Sequence, residues 1–84
     1  MDTIYDAKLL LVDDNAELLA LLCEQLRGAG YGHIRTAQSC TAARACFAAE
    51  QPELMILDIN LPDGDGFSLF RALRAKADVP ALFL

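Results

Sequence analysis

The chain has 84 residues, of which 55% are hydrophobic, and its formal net charge is −5. This length allows one domain at most, and the apolar content exceeds the roughly 45–50% of an average domain, which suggests a piece of a larger domain or a surface that a partner covers. The acidic balance provides no basic footprint for nucleic acid, and the apolar runs are too short for a membrane span. We therefore expect a cytoplasmic protein without membrane segments.

The first two predicted elements are a strand and a helix. Residues 9–12 (LLLV) form a short apolar run, which is typical of a strand buried on both faces of a parallel sheet. Leucines spaced three and four apart predict an amphipathic helix over residues 16–27. Two glycines, Gly28 and Gly30, can end this helix because glycine tolerates the left-handed conformation.

The rest of the chain continues the alternation of strands and helices. We predict strands at residues 33–37, 54–57 and 81–84, a helix from a cap at Ser39 to about residue 50, a loop over residues 59–66, and a helix over residues 67–76. The inner side of the last helix is expected to carry Phe67, Leu69, Phe70 and Leu73. The order β-α-β-α-β-α-β implies right-handed crossovers and a parallel sheet with helices on both faces.

Acidic residues follow two of the strongly apolar strands. Asp13 and Asp14 come directly after the first strand, and Asp58 comes directly after the third. Ligands of open α/β sheets bind outside the carboxyl ends of the strands, so the three side chains converge if these two strands are neighbours. Carboxylates this close repel one another unless a cation joins them, and Mg²⁺ prefers such oxygen ligands. The sequence therefore predicts a magnesium site at this edge.

The acidic strand ends lie within two longer motifs, residues 10–15 (LLVDDN) and residues 55–66 (MILDINLPDGDG). Their spacing and their strand–helix order resemble the receiver domain of bacterial response regulators in two-component signalling, over residues 8–84. The resemblance implies an α/β fold with a flavodoxin-like, doubly wound parallel sheet of strand order 2-1-3-4. It also leads us to expect that residues 1–84 are the N-terminal portion of a receiver domain, truncated after the fourth strand and without the fifth βα unit.

The resemblance also implies roles for four residues. Asp58 would be the phosphoacceptor, which takes a phosphoryl group from a sensor histidine kinase with the assistance of Mg²⁺. Asp14 would contact the metal directly and Asp13 would act through a metal-bound water, while Asn60 would offer its main-chain carbonyl. On this interpretation the chain is a signalling domain rather than an enzyme.

Other parts of the receiver family have no counterpart within these residues. The family carries a Ser or Thr after the fourth strand and a Lys after the fifth, and neither position falls within residues 1–84. An output domain, DNA-binding in many members, would likewise lie outside this chain. The fourth strand would form a bare edge, from which we expect self-association as a homodimer or by domain swapping.

Three other interpretations of the sequence compete with the phosphoacceptor. The main alternative is a receiver-like dimerisation or interaction module that is not phosphorylated. A calcium loop needs an oxygen ligand at its fifth position and glycine at its sixth, where a loop that starts at Asp58 has Pro62 and Asp63. An aspartyl-phosphate hydrolase usually has a second acid two residues after the first, where this chain has Asn60.

Overall fold

The computed structural model describes residues 3–84, so residues 1 and 2 of the predicted domain lie outside the described residues. The strands are β1 (Lys8–Val12), β2 (His33–Ala37), β3 (Leu54–Leu57), β4 (Asn60–Leu61), β5 (Gly64–Asp65) and β6 (Ala81–Phe83). The helices are α1 (Ala16–Gly28), α2 (Cys40–Ala49) and α3 (Gly66–Arg74), and a short 3-10 helix covers Ile4–Asp6. None of the helices within residues 3–84 has the length and apolar character needed to cross a bilayer.

Four parallel strands form the main sheet, in the order β2-β1-β3-β6. The predicted order 2-1-3-4 is confirmed, because β6 is the fourth strand of the prediction. Strand β1 pairs with both β2 and β3, so that Val12 lies between Ala37 and Leu57. The N–H of Asp58 then donates to the carbonyl of Val12 at 2.8 Å, which joins the carboxyl end of β3 directly to that of β1.

The hydrophobic core lies between one face of this sheet and helices α2 and α3. Alternate strand residues point into it and are at most 1% exposed: Leu10, Val12, Met55 and Leu57. They pack in one cluster with the helix residues Ala43, Phe47, Leu69 and Leu73. Because successive side chains of a strand point to opposite faces, Leu9 and Leu11 lie on the other face of the sheet, and they are buried as well. Both strand ends that precede the acidic residues are therefore held by close packing.

Apart from the short 3-10 helix and shifts of one or two residues at the ends of elements, two features differ from the sequence-based prediction. The pattern predicts a loop over residues 59–66, whereas β4 and β5 form an antiparallel hairpin there. Each of these strands has only two residues, which is too short for a hydrophobic periodicity to be recognised in the sequence. The pattern also places Phe67 on the inner side of α3, but this side chain is 48% exposed. Leu69 is buried as predicted, and residues two apart on a helix do not share a face. Phe67 instead lies against Phe83, with 4.7 Å between the ring centroids.

Candidate functional site

Three carboxylates meet at the carboxyl edge of the sheet. One oxygen from each of Asp13, Asp14 and Asp58 lies within 4.8 Å of the other two. Asp13 and Asp14 follow β1 and Asp58 follows β3, and these two strands are neighbours in the sheet. The structure thus brings together the three carboxylates that the sequence predicts for the site.

The three carboxylates differ in exposure and in hydrogen bonding. Asp13 is only 6% exposed, Asp58 is half-buried and Asp14 is exposed. The N–H of Asn15 donates to Oδ1 of Asp13 at 2.9 Å. The N–H of Asn60, the fourth predicted site residue, donates to Oδ1 of Asp58 at 3.3 Å. Each of these two aspartates therefore forms an Asx-type turn, which restricts the orientation of its carboxylate.

The segment between Asp58 and α3 folds tightly back on itself. The N–H of Gly66 donates to the carbonyl of Ile59 at 2.8 Å. A Cβ atom on Gly66 would collide with the carbonyl oxygen of Asp58 and would lie 3.1 Å from its carbonyl carbon. Only glycine allows the start of α3 to come this close to the backbone of Asp58.

Two further aspartates fasten this segment to helices. Asp63 accepts hydrogen bonds from the N–H of Cys40 at 2.7 Å and from the N–H and the hydroxyl of Thr41 at 3.0 and 2.9 Å. Asp65 is the N-cap of α3 and accepts from the N–H of Ser68 at 2.8 Å and from its hydroxyl at 2.9 Å. Both carboxylates thus bind N–H groups that have no partner within their helix.

The contact between Asp63 and α2 was not predicted from the sequence. Asp65 and Ser68 are three residues apart, which is a readable N-cap spacing. Asp63, in contrast, lies 22 and 23 residues from its partners, so no local pattern reports the contact. Its hydrogen bonds from the N–H of Cys40 and from Thr41 lower the pKa of Asp63 well below the ordinary value of 3.8.

We expect Asp63→Asn to lower the midpoint of thermal unfolding by an amount that depends on pH. Because the folded-state pKa of Asp63 is depressed, the stability that its charge contributes is complete above the unfolded-state pKa of about 3.9 and is lost as the pH falls further. The midpoint difference from wild type should stay constant between about pH 7 and pH 5 and shrink below about pH 4. Calorimetric scans would measure it, and an undiminished difference at about pH 2.5 would contradict the expectation.

The fold defines the class of this protein as a flavodoxin-like α/β domain, with a cluster of carboxylates at the carboxyl edge of its sheet. A family model described as the response regulator receiver domain matches residues 9–84. The chain is 35% identical, over 77 residues, to the uncharacterized transcriptional regulatory protein YvcP of Bacillus subtilis, a match that covers 92% of this chain and 32% of YvcP. The chain belongs to the response regulator receiver domain family, which is a family of signalling domains.

Solved structures support the same assignment. The chemotaxis response regulator CheY4 of Vibrio cholerae has a TM-score of 0.87 and 30% identity, over 93% of this chain and 67% of CheY4. A MaeR response regulator bound to beryllium trifluoride has a TM-score of 0.85 and 25% identity, over 93% of this chain and 66% of MaeR. The chain thus spans about two thirds of these structures, but only about a third of the curated relative YvcP.

Proposed function

We propose that this chain accepts a phosphoryl group on Asp58 from a sensor histidine kinase, with Mg²⁺ bound at the acidic cluster. The observation that carries the proposal is the meeting of Asp13, Asp14 and Asp58 within 4.8 Å, in a chain of the receiver family. Phosphoryl transfer depends on positioning and on charge neutralisation more than on covalent assistance. A nucleophilic carboxylate beside two metal-binding carboxylates suits both requirements.

The oxygen atoms of the cluster suit a hard divalent cation. Three carboxylates in one small volume repel one another when all are ionised, and Mg²⁺ binds one or two carboxylates together with waters and phosphate oxygens. Asp13, Asp14 and Asp58 would hold the ion, and the main-chain carbonyl of Asn60 is a further expected ligand. When bound, Mg²⁺ supplies neutralisation of the negative charge on the phosphoryl oxygens.

Asp58 supplies the attacking oxygen in this proposal. A bond forms between a carboxylate oxygen of Asp58 and phosphorus while the bond from phosphorus to the imidazole nitrogen of the kinase breaks, and the electron pair of that bond stays on the nitrogen. The N–H of Asn60 restricts the rotation of the Asp58 carboxylate through their hydrogen bond, which favours a defined approach of the oxygen. The acyl phosphate product is reactive, so the phosphorylated state is transient.

The proposal extends to partners and location. Relatives of this chain are transcriptional regulators, which supports a receiver domain that works with a kinase and with an output domain that binds DNA. The match of residues 9–84 to the receiver family supports one receiver domain over residues 1–84. The chain spans about a third of YvcP, so the activity of the whole protein is part of what we propose. We also propose a cytoplasmic location. Self-association stays a prediction.

Asp58→Asn should abolish phosphorylation, because the amide lacks the anionic oxygen that attacks phosphorus while its size preserves the fold. The full-length protein would be incubated with Mg²⁺ and acetyl phosphate, and intact-mass spectrometry would count the added phosphoryl groups. Wild type should gain one phosphoryl group, and Asp58→Asn should gain none. Chelation of Mg²⁺ should prevent labelling of wild type.

Asp78→Asn is the matched control for this experiment. Asp78 has an exposed side chain that pairs with Arg74 at 3.6 Å. It precedes β6 and so lies at the amino ends of the strands, away from Asp58. The Asp78→Asn variant should therefore be labelled as fully as wild type. Labelling of Asp58→Asn to the wild-type level would contradict the assignment of the acceptor. Absence of both labelling and beryllofluoride binding in wild type would favour the interaction module instead.

A further inference from the structure

We propose that Asp63 is a positioning residue for Asp58: it fastens the β4–β5 hairpin to the N-terminus of α2 and thereby keeps the N–H of Asn60 on the Asp58 carboxylate. The part of this inference that concerns phosphorylation rests on the proposed function. The structural part, which links Asp63 to the orientation of Asp58, stands on the geometry alone.

The first link is the contact between the hairpin and α2. Both oxygens of Asp63 are engaged, by the N–H of Cys40 and by the N–H and hydroxyl of Thr41, at 2.7 to 3.0 Å. Hydrogen bonds to an ionised carboxylate are stronger than those between neutral groups. Next to Asp63, a Cβ on Gly64 would lie 3.1 Å from the sulfur of Cys40, so the hairpin meets the helix at a second point.

The second link is the hairpin itself. Asn60 pairs with Asp65 and Leu61 pairs with Gly64, so that Pro62 and Asp63 are the two residues that form the turn. Leu61 is also 9% exposed and belongs to the core cluster. Because the two strands are paired and Leu61 is packed in the core, a displacement of the turn should also displace Asn60.

The third link is the hydrogen bond between Asn60 and Asp58. Its donor–acceptor distance is 3.3 Å, longer than the usual 2.7 to 3.2 Å for an N–H···O bond. A hydrogen bond of this length is weak, so by itself it does not hold Asn60 in position against the Asp58 carboxylate. The orientation of the Asp58 carboxylate therefore depends on the frame that holds Asn60, and Asp63 is part of that frame.

A purely structural role for Asp63, in which it only stabilises α2, makes a different prediction. Helix α2 also has its own N-cap, Ser39, whose hydroxyl accepts from the N–H of Ala42 at 3.1 Å. Ser39→Ala removes a hydrogen bond from the same end of the same helix without changing the hairpin. It is thus a matched control, since loss of α2 stability alone would give Ser39→Ala and Asp63→Ala the same effects at Asn60.

The experiment measures amide hydrogen exchange by NMR in the full-length protein, for wild type, Asp63→Ala and Ser39→Ala. Both variants should unfold at a lower temperature. The amide of Asn60 should exchange at least about tenfold faster in Asp63→Ala and change by less than about twofold in Ser39→Ala. The rate of Asp58 phosphorylation by acetyl phosphate should fall about tenfold in Asp63→Ala only, since misplacement by about 1 Å can cost about 100-fold.

The outcomes separate the two proposals. Equal exchange at Asn60 in both variants, or wild-type exchange in Asp63→Ala, would overturn the positioning role. Failure of wild type to be phosphorylated would count against the proposed function, while the exchange of Asn60 would still decide the positioning role. If Asp63→Ala does not fold, Thr41→Val takes its place, because it removes the hydroxyl that donates to Asp63. The amide of Asn60 should then exchange faster than in wild type. Unchanged exchange would overturn the positioning role of Asp63.

Discussion

Gly66→Ala should be strongly destabilising and should also displace Asp58. The added methyl group would collide with the carbonyl oxygen of Asp58 and would approach the Cα of Ile59 to 3.2 Å. These are backbone atoms, which cannot rotate away as the end of a flexible side chain can. Overpacking of this kind costs typically about 1–3 kcal/mol and occasionally more, and each 1 kcal/mol lowers the unfolding midpoint of so small a domain by roughly 4–8 °C.

Urea and thermal unfolding followed by circular dichroism would measure the loss caused by Gly66→Ala. Gly32→Ala is the matched control, because a Cβ on Gly32 would meet nothing within 4 Å and exposed substitutions of this kind usually stay within about 0.5 kcal/mol. Among the folded molecules, Gly66→Ala should also bind Mg²⁺ more weakly, since the Asp58 backbone must move. A variant as stable as wild type would show that the start of α3 can shift without disturbing Asp58.

Asp14→Asn should change stability in opposite directions with and without Mg²⁺. Asp14 is exposed and lies in the cluster with Asp13 and Asp58, so removal of its charge relieves repulsion in the metal-free protein. For charges near a surface we expect a gain of about 0.5–1 kcal/mol. The loss of one carboxylate should at the same time remove most of the stabilisation that Mg²⁺ gives to wild type, which would be about 2.7 kcal/mol at 100 times the dissociation constant.

Thermal unfolding in a chelator and in excess Mg²⁺ would test whether the stability change caused by Asp14→Asn reverses its sign. Asp14→Asn should unfold above wild type in the chelator and below wild type in Mg²⁺, whereas Glu24→Gln, an exposed carboxylate within α1, should keep the wild-type response to the ion. If Asp14→Asn gained as much stability from Mg²⁺ as wild type does, Asp14 would not be a ligand.

The strands that position the site could be predicted because their signal is local. The apolar runs in β1 and β3 are short and strongly hydrophobic, and the bounds His33–Ala37 and Leu54–Leu57 agree with the prediction. Strands buried on both faces have this pattern. Asp13, Asp14 and Asp58 directly follow these strands in the chain, so the sequence alone places them at the carboxyl ends of the strands.

The tertiary structure decided which distant residues meet. The pairing of β1 with β3 brings the three acidic residues into one cluster. The sequence predicted this cluster only on the condition that the two strands are neighbours. The exposure of Phe67 depends on the rotation of α3, which Leu69 and Leu73 set by their burial. These features arise from packing between elements, which single-element periodicity does not describe.

Asp63 shows the same division most clearly. By itself the sequence determined a parallel α/β sheet with acidic strand ends, because hydrophobic patterning and strand-end residues act over a few neighbouring positions. Only the folded chain brought Asp63 to Cys40 and Thr41, which are 23 and 22 residues away. The N–H groups at a helix start can donate to any suitably placed carboxylate, so the identity of the acceptor depends on the three-dimensional path of the chain.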